Sequence, residues 1–558
     1  MASLLPYSGS LGRRLAKHLL RRATYSVTKT RIDEFSNYSV DQALTELLIL
    51  PEKNLIQPIH FVAKNLTQPS PWINDDPIYG PVNVDNGSGQ LKKDSYLAGW
   101  WIDEAKRDTS LRSKMSYFLF TDFTAAVRFL QSPFYYDYLM LIEFFCLGDW
   151  KEFCFQMTKN NVMLKYLDNN DNTKGNPNEN FAREVLELFT IGKGVQTGIG
   201  DYTNYTESDI EQAAKVLTGW TFSKDSDRNL RDNGAEFGNI PCGYVNSGKH
   251  DFGRKEFSHR FGNYVIDEWN ASGKSEEEKV ARTEAELKEF IDMVLNQAET
   301  AKFICRKLYR FFVSRKITTE IENDIIVPLA NTFRANYNLE PVITQLLKSE
   351  HFYDADDSDN TDEIVGGLVK SPLDLVTSVL STTAYPVPHP ITQGEWHYKK
   401  FYYNQILDNV MIPAAQDLFR PPSVAGFPPY YESPEFDRFW FNSSTIISRY
   451  NLANILLDPA LSKATFYVST FVDANVSNPG DPSVLIDELV DLLFPEPIDA
   501  SRKSFFLNDI LLDNGSETAE MWTDEWINFK NTGSTTGVES ALRPLFRALI
   551  WSQEFQNH

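Results

Sequence analysis

The chain has 558 residues, of which 42% are apolar, 13% aromatic and 23% charged; this is globular composition and excludes a disordered, collagen-like or coiled-coil protein. Its four cysteines, Cys146, Cys154, Cys242 and Cys305, show no C-x-x-C spacing, which excludes a disulfide scaffold, a zinc ribbon and a thioredoxin-type motif. With 54 Lys and Arg against 76 Asp and Glu, the net charge is −22, which argues against general nucleic-acid binding, since a polyanion needs a basic field.

Charge is unevenly spread. No acid precedes Asp33, whereas Arg13, Arg14, Lys17, Arg21, Arg22, Lys29 and Arg31 all do. This pattern reads as a transit peptide, a contact for an anionic partner, or a basic amphipathic helix from Leu11 to Arg22 docked on an acidic body; the last is preferred. A twin-arginine export signal is excluded, because LAKHLLRRATYS after Arg13-Arg14 holds no apolar core. No stretch reaches the roughly 18 apolar residues that span a bilayer. The nearest, Tyr138 to Gly148, is too short, holds Glu143, and reads as a buried helix. The expectation is a soluble, cytoplasmic protein.

Apolar residues at three- and four-residue spacing predict helices over 40–49, 113–130, 180–192, 208–220 and 300–314. Ser208 with Glu211 predicts a capping box, and Gly192 and Gly194 a helix stop. Residues 66–94, 168–178 and 222–263 are rich in Gly, Asn, Asp or Pro and read as loops, the last with room for short strands. The acidic run DADDSDNTDE at 354–363 reads as a linker. It places a boundary near 360, between an N-terminal helical unit, 1–360, and a C-terminal one, 361–558, with loops near 470–482 and 530–538. PVITQLLKSEHFYD (341–354) and RPLFRALIWSQEFQ (543–556) echo each other, one closing each half. The fold class expected is mainly α, a large multi-helical body with long loops and few short strands.

The densest polar stretch is Asn176-Pro-Asn-Glu-Asn-Phe-Ala-Arg-Glu-Val-Leu-Glu. On an α-helix Asn180, Glu184 and Glu187 share a face, and Glu179, Arg183 and Glu187 form a row at four-residue spacing. Two carboxylates on one face can ligate a metal or form an acid/base pair with one carboxyl protonated. The same spacing also describes a salt-bridged helix surface. Asn-Pro-Asn supplies an N-cap and a rigid turn. Glu207 and Asp209 suit a helix start, and Trp220 follows Gly219 as core or as a substrate platform. His250-Asp251, in a Gly- and Asn-rich loop, reads as a metal ligand pair, an acid/base dyad or a structural element. The Pro-rich aromatic run from Gln416 to Tyr431, with Trp440, Asn442 and Arg449 beyond it, reads as a docking loop or as a lock between helical layers. The signatures of zincins, α/β-hydrolases, P-loop NTPases and dinucleotide enzymes are absent.

These motifs together resemble the bacterial family called domain of unknown function 1800. The resemblance rests on HLLRRAT (18–24), YLDN (166–169), NENFAREVLELFTIG (178–192), YTESDI (205–210), LTGW (217–220), HD (250–251), FICRKLYRFFV (303–313), KSP (370–372) and FRPPSVAGF (419–427). It implies a mostly helical architecture and a bacterial source. By association it also implies a periplasmic or cell-envelope location and a partner from a second family of unknown function, 1501, which looks like alkaline phosphatases and sulfatases. Where the family tends to show an FWHNHF-like stretch, this chain has Tyr117-Phe-Leu-Phe-Thr-Asp-Phe123, and where it has Gly-Trp after the double proline, this chain has Gly426-Phe427.

Two functions follow as expectations. One is a metal-assisted or acid/base hydrolase of a polymer-related substrate. Glu184, Glu187, His250 and Asp251 would be its catalytic residues and the ligands of a divalent metal. Arg22, Asn178, Asn180, Arg183 and Trp220 would bind substrate. The other is a non-catalytic scaffold or partner protein, in which the same polar residues form a buried ion-pair network and the Pro-rich loop is the docking surface.

Overall fold

The structure is a computed structural model and describes residues 2–50, 59–60, 70–71, 87–126, 132–222, 242–356, 364–389, 395–458 and 466–558. Helices dominate it, as expected. Among the described residues, strands are two or three residues long and pair only into two-stranded antiparallel ladders, such as Trp220–Thr221 with Tyr244–Val245 and Lys255–Glu256 with Val265–Ile266. Among the described residues no helix is long and apolar enough to cross a membrane.

The basic N-terminal stretch forms helix α1 (Gly12–Ala23), whose Leu15, Ala16, Leu19, Leu20 and Ala23 are buried. Its cations are used inside the molecule. Lys17 Nζ donates to the carbonyls of Asp491 at 2.6 Å and Phe494 at 3.2 Å, and Arg21 donates to Leu492 O at 2.9 Å. These carbonyls belong to the last turn of the helix Pro482–Leu493 and the residue beyond it. A helix C-terminus leaves carbonyls unpaired and carries partial negative charge, so cations there satisfy both. Arg14 reaches Glu496 at 2.8 Å, and Arg13 bridges Asp33 and Asp491. The amphipathic-helix reading therefore describes this segment, and the contact crosses position 360.

Downstream, Gly87–Arg107 is helical although its first residues read as loop. Helix α2 (Arg112–Asp122) ends eight residues before the predicted limit of 130, at Phe123, whose carbonyl accepts from Tyr138 OH; residues 127–131 lie outside the described residues. The Tyr138 segment is the helix Ser132–Phe144. Helix α3 (Glu179–Glu184) runs directly into a π-helical turn, Val185–Thr190, and Gly192 ends it at φ 74°, its N–H returning to Leu186 O at 2.9 Å. Helix α4 (Glu207–Val216) starts at Thr206, not Ser208. Its capping box is Thr206–Asp209, because the buried Asp209 carboxylate also takes the N–H and hydroxyl of Ser258, at 2.6 and 2.7 Å. Helices α5 (Glu276–Leu295) and α6 (Ala298–Phe312) follow.

The two echoing segments close alike. After helix α7 (Leu339–Lys348), Ser349 Oγ donates to Leu346 O at 2.7 Å and accepts from Phe352 N at 3.1 Å. Helix α8 (Pro372–Thr382) comes next in the chain. After helix α9 (Thr536–Trp551), Ser552 Oγ donates to Leu549 O at 2.6 Å and accepts from Phe555 N at 3.4 Å. The Ser-x-x-Phe pattern is thus a turn in which serine caps a helix end and phenylalanine enters the core. The predicted loop near 470–482 shrinks to 476–481 and that near 530–538 to 533–535, flanked by helices. Of the acidic run, 357–363 lies outside the described residues. One buried apolar cluster joins residues from both sides of it, from Leu11 to Phe555.

Candidate functional site: a charged cleft between the helices

The polar helix is built from its N-cap. Asn178 Oδ1 accepts the N–H of Asn180 at 3.0 Å, and Asn178 N donates to Asn172 Oδ1 at 2.9 Å. The buried Asn172 and Asn169 in turn donate to the carbonyls of Ala214, Leu217 and Trp220. Asn180 is exposed and reaches Leu167 O at 3.2 Å. Both expected substrate-binding asparagines thus spend their side chains on the backbone. Trp220 is buried. Gly219, at φ 82°, passes so close to the backbone that an added Cβ would meet Asn246 O at 2.8 Å and His250 N at 3.0 Å, so the Gly-Trp step requires glycine there.

The π turn changes which residues meet. Its i→i+5 bonding breaks the four-residue row. Arg183 contacts Glu179 at 3.3 Å and forms a two-pronged pair with Glu207, at 2.9 and 2.7 Å. Glu187 instead accepts from Tyr205 OH at 2.8 Å and from Lys193 at 3.3 Å. Glu184 lies between. Burial, and then the charge of Glu187, push its carboxyl up to about 7.

His250 and Asp251 belong elsewhere. His250 Nδ1 donates to Thr218 O at 2.7 Å and Nε2 faces Glu286 at 3.2 Å. Glu286 of α5 also takes Lys255 and, at 3.1 Å, Arg282. Glu286, Lys255 and His250 are all buried. Burial alone would raise the Glu286 carboxyl, but the hydrogen bond from His250 and the charge of Lys255 outweigh it and hold the carboxyl below its ordinary value. Asp251 makes a local turn, Oδ1 accepting from Gly253 N at 2.9 Å, while its carbonyl takes Lys255. The four residues expected to hold a divalent metal therefore do not converge: Glu184 and Glu187 sit at the π turn, His250 on the Glu286 carboxylate, and Asp251 in its own turn. Among the described residues no group of three His, Cys, Asp or Glu is arranged to hold a metal ion.

What does converge is a cleft of about 300 Å³, to which Arg22 and Glu187 both contribute. Helix α1 supplies Arg22. Helix α2 supplies Lys114, Phe118, Thr121 and Asp122, and α6 supplies Phe303, Lys307, Arg310 and Phe311. The KSP segment adds Ser371 and Asp374, and the Pro-rich loop with its sequel adds Tyr430, Phe436, Asp437 and Trp440. Most of this loop is a lock: Gln416 bridges Leu373 N and Tyr117 OH, both at 2.7 Å, and Phe419, Phe427 and Trp440 are buried. Of the Tyr117–Phe123 stretch, Phe118, Thr121 and Asp122 line the wall.

Five cations and four carboxylates line the cleft, an excess of positive charge in a chain of net −22. Lys114 pairs with Asp374, Lys193 with Glu187 and Lys307 with Asp122. Lys307 also donates to Leu188 O at 2.6 Å, tying Asp122 to the π turn. Burial pushes the Asp122 carboxyl up to about 6 despite the Lys307 charge. Several buried polar atoms of this lining lack a hydrogen-bond partner: Nε and Nη1 of Arg22, Nε of Arg310, Oδ2 of Asp122 and Oδ1 of Asp437. Buried polar groups are normally satisfied, and these unsatisfied ones share one cleft. Burial lowers Arg22 to about 10, so it stays charged at neutral pH.

Residue-by-residue reading of the sequence missed Asp122, Lys307, Arg310, Asp374 and Glu286. Lys307 and Arg310 stand three apart on a helix that also carries Glu299, Lys302 and Arg306, so their charge alone does not single them out. Asp374 reads as the partner of Ser371 in a capping box, which it is, and its second role is not legible.

Comparison with curated proteins and with solved structures found no match. The family model described as "Protein of unknown function (DUF1800)" matches residues 18–557, nearly the whole length, and spans every residue of the cleft except His558. The chain belongs to this family.

Proposed function

We propose that the cleft is the working site and that it performs acid/base chemistry, with hydrolysis as the reaction class. The observation that carries this is Asp122: a buried carboxyl pushed up to about 6, with one unsatisfied oxygen, on the wall of a cleft it shares with Glu187. A general acid works best with a pKa near the operating pH. Two carboxyls whose surroundings differ are the usual basis for dividing acid and base roles. In this reading Asp122 gives a proton to the leaving group. Glu187, kept in place by Tyr205 and Lys193, takes one from the attacking water. Lys307 orients Asp122 and links it to the π turn.

The test is a panel of chromogenic p-nitrophenyl esters, phosphates, sulfates and glycosides offered to the parent, Asp122→Asn and Glu187→Gln. We expect one class to be turned over, and each substitution to lower kcat by about 100-fold or more with the fold intact by circular dichroism. Turnover of no class, or undiminished turnover in both variants, overturns the reading.

The Glu286 cluster supports a second reading, a scaffold with a buried ion-pair network. His250, Lys255 and Arg282 all meet one carboxylate away from the cleft, an arrangement suited to holding a fold in one register. If the panel is silent while the cleft variants keep parental stability, this second reading takes precedence.

A further inference from the structure

Three of the lysines lining the cleft are matched by a carboxylate each. Two guanidiniums are not. Among the described residues neither Arg22 nor Arg310 has a carboxylate within ion-pair distance, and Arg22 gives only one hydrogen bond, to Ile364 O at 2.9 Å. Asp437, the remaining acid, already accepts from Val369 N at 2.8 Å and faces Arg315 at 3.7 Å. Arg22 is 3% exposed, and its Nε and Nη1 have no hydrogen-bond partner. Leaving buried charged donors unmatched is costly.

The surroundings of Arg310 are aromatic, and Arg22 lines the same cleft. The Arg310 guanidinium lies 4.6 Å from the centre of the Phe436 ring. Phe311 stacks on Tyr430 at 5.8 Å, and Tyr430 meets the edge of Trp440 at 5.7 Å. A fixed positive subsite against a wall of rings selects a ligand with both parts: oxygens that accept from guanidinium N–H groups, as carboxylates and phosphates do, and a flat or apolar body that packs on the rings.

From this juxtaposition we infer that Arg22 and Arg310 form an oxyanion subsite, and that the ligand of the cleft is an organic acid anion, a carboxylate or phosphate borne on a ring or other apolar group. The inference rests on the reading of the cleft as the working site and specifies what that site takes.

Isothermal titration calorimetry on the full chain tests it, with benzoate, phenyl phosphate, inorganic phosphate and phenol as probes. Benzoate and phenyl phosphate separate the two sources of the anion; inorganic phosphate and phenol remove the ring and the charge in turn. We expect at least one of the first two to bind with a Kd below about 1 mM, at least about tenfold tighter than inorganic phosphate and phenol. Arg310→Gln should weaken it about tenfold or more, and Arg310→Lys less. Arg22→Lys is the second variant, since it keeps a charged donor at this buried position, which bonds Ile364 O. No heat from either ring-bearing anion, or equal binding by the parent, Arg310→Gln and Arg22→Lys, overturns the inference. Anion binding with no turnover on the panel overturns the acid/base reading and leaves this inference standing; turnover without arginine-dependent anion binding does the reverse.

Discussion

Glu184 and Asp122 are both pushed above the ordinary carboxylate range, in each case chiefly by burial. Glu184 is raised by burial and by Glu187 beside it; Asp122 is raised by burial against the pull of Lys307. A carboxyl whose folded pKa exceeds its unfolded value takes up a proton on folding. Its contribution favours the folded state at low pH and is lost as pH rises through the folded value. For Glu184 that window runs from 4.5 to about 7. Glu184→Gln, which carries no charge at any pH, should therefore be more stable than the parent at pH 8, by about 1–3 kcal/mol, with the gain shrinking towards zero near pH 4.5. Urea unfolding at the two pH values measures it; a gain that is equal at both, or a loss at pH 8, contradicts the assigned surroundings of Glu184. None of this can be read from residue spacing. Glu184 and Glu187 look equivalent along a helix, and only the partners of Glu187, Tyr205 and Lys193, make them unlike.

At the scale of elements, the sequence was most legible where local chemistry decides. Asn178 as an N-cap, the stop at Gly192 and the apolar faces of α1, α3, α4 and α6 all follow from propensity and periodicity. It was least legible where a distant residue decides. The π turn at Val185–Thr190 has no local mark, yet it moves Arg183 onto Glu207 and Glu187 onto Lys193. The helix at 112–122 ends early because Tyr138 and Tyr135 take the carbonyls of Phe123 and Ala125. His250-Asp251 looks like a ligand pair in sequence; its actual partner, Glu286, is 36 residues away. That cluster makes a strong prediction. Glu286→Ala strands the buried Lys255 and should cost about 3–5 kcal/mol, whereas Glu286→Gln, which keeps acceptors for His250 and Lys255, should cost less. Chemical denaturation of the two variants checks the order; a loss below about 1 kcal/mol for Glu286→Ala would mean the cluster carries no weight in the fold.

For the whole molecule, the basic helix α1 ties the C-terminal helices to the cleft. Its buried Lys17 and Arg21 close the end of the helix Pro482–Leu493, and Arg22 lines the cleft. Lys114–Asp374, 260 residues apart in sequence, joins the two sides of position 360, and Lys307–Asp122, 185 apart, closes the cleft within the first side. The apolar core is shared across position 360. The account accordingly predicts one cooperative heat-absorption peak in scanning calorimetry, with calorimetric and van't Hoff enthalpies in agreement; two separated peaks would mean that the units on either side of 360 fold apart and the cleft is only where they touch. Whether the cleft works through a protonated Asp122 is decided by the pH dependence of kcat/KM for whichever substrate class of the panel the protein turns over. The account predicts activity that falls as pH rises through about 6, because the acid form of Asp122 is lost, with this limb absent from the residual activity of Asp122→Asn. A profile without a limb between pH 5 and 7, or one that Asp122→Asn leaves unchanged, would contradict it.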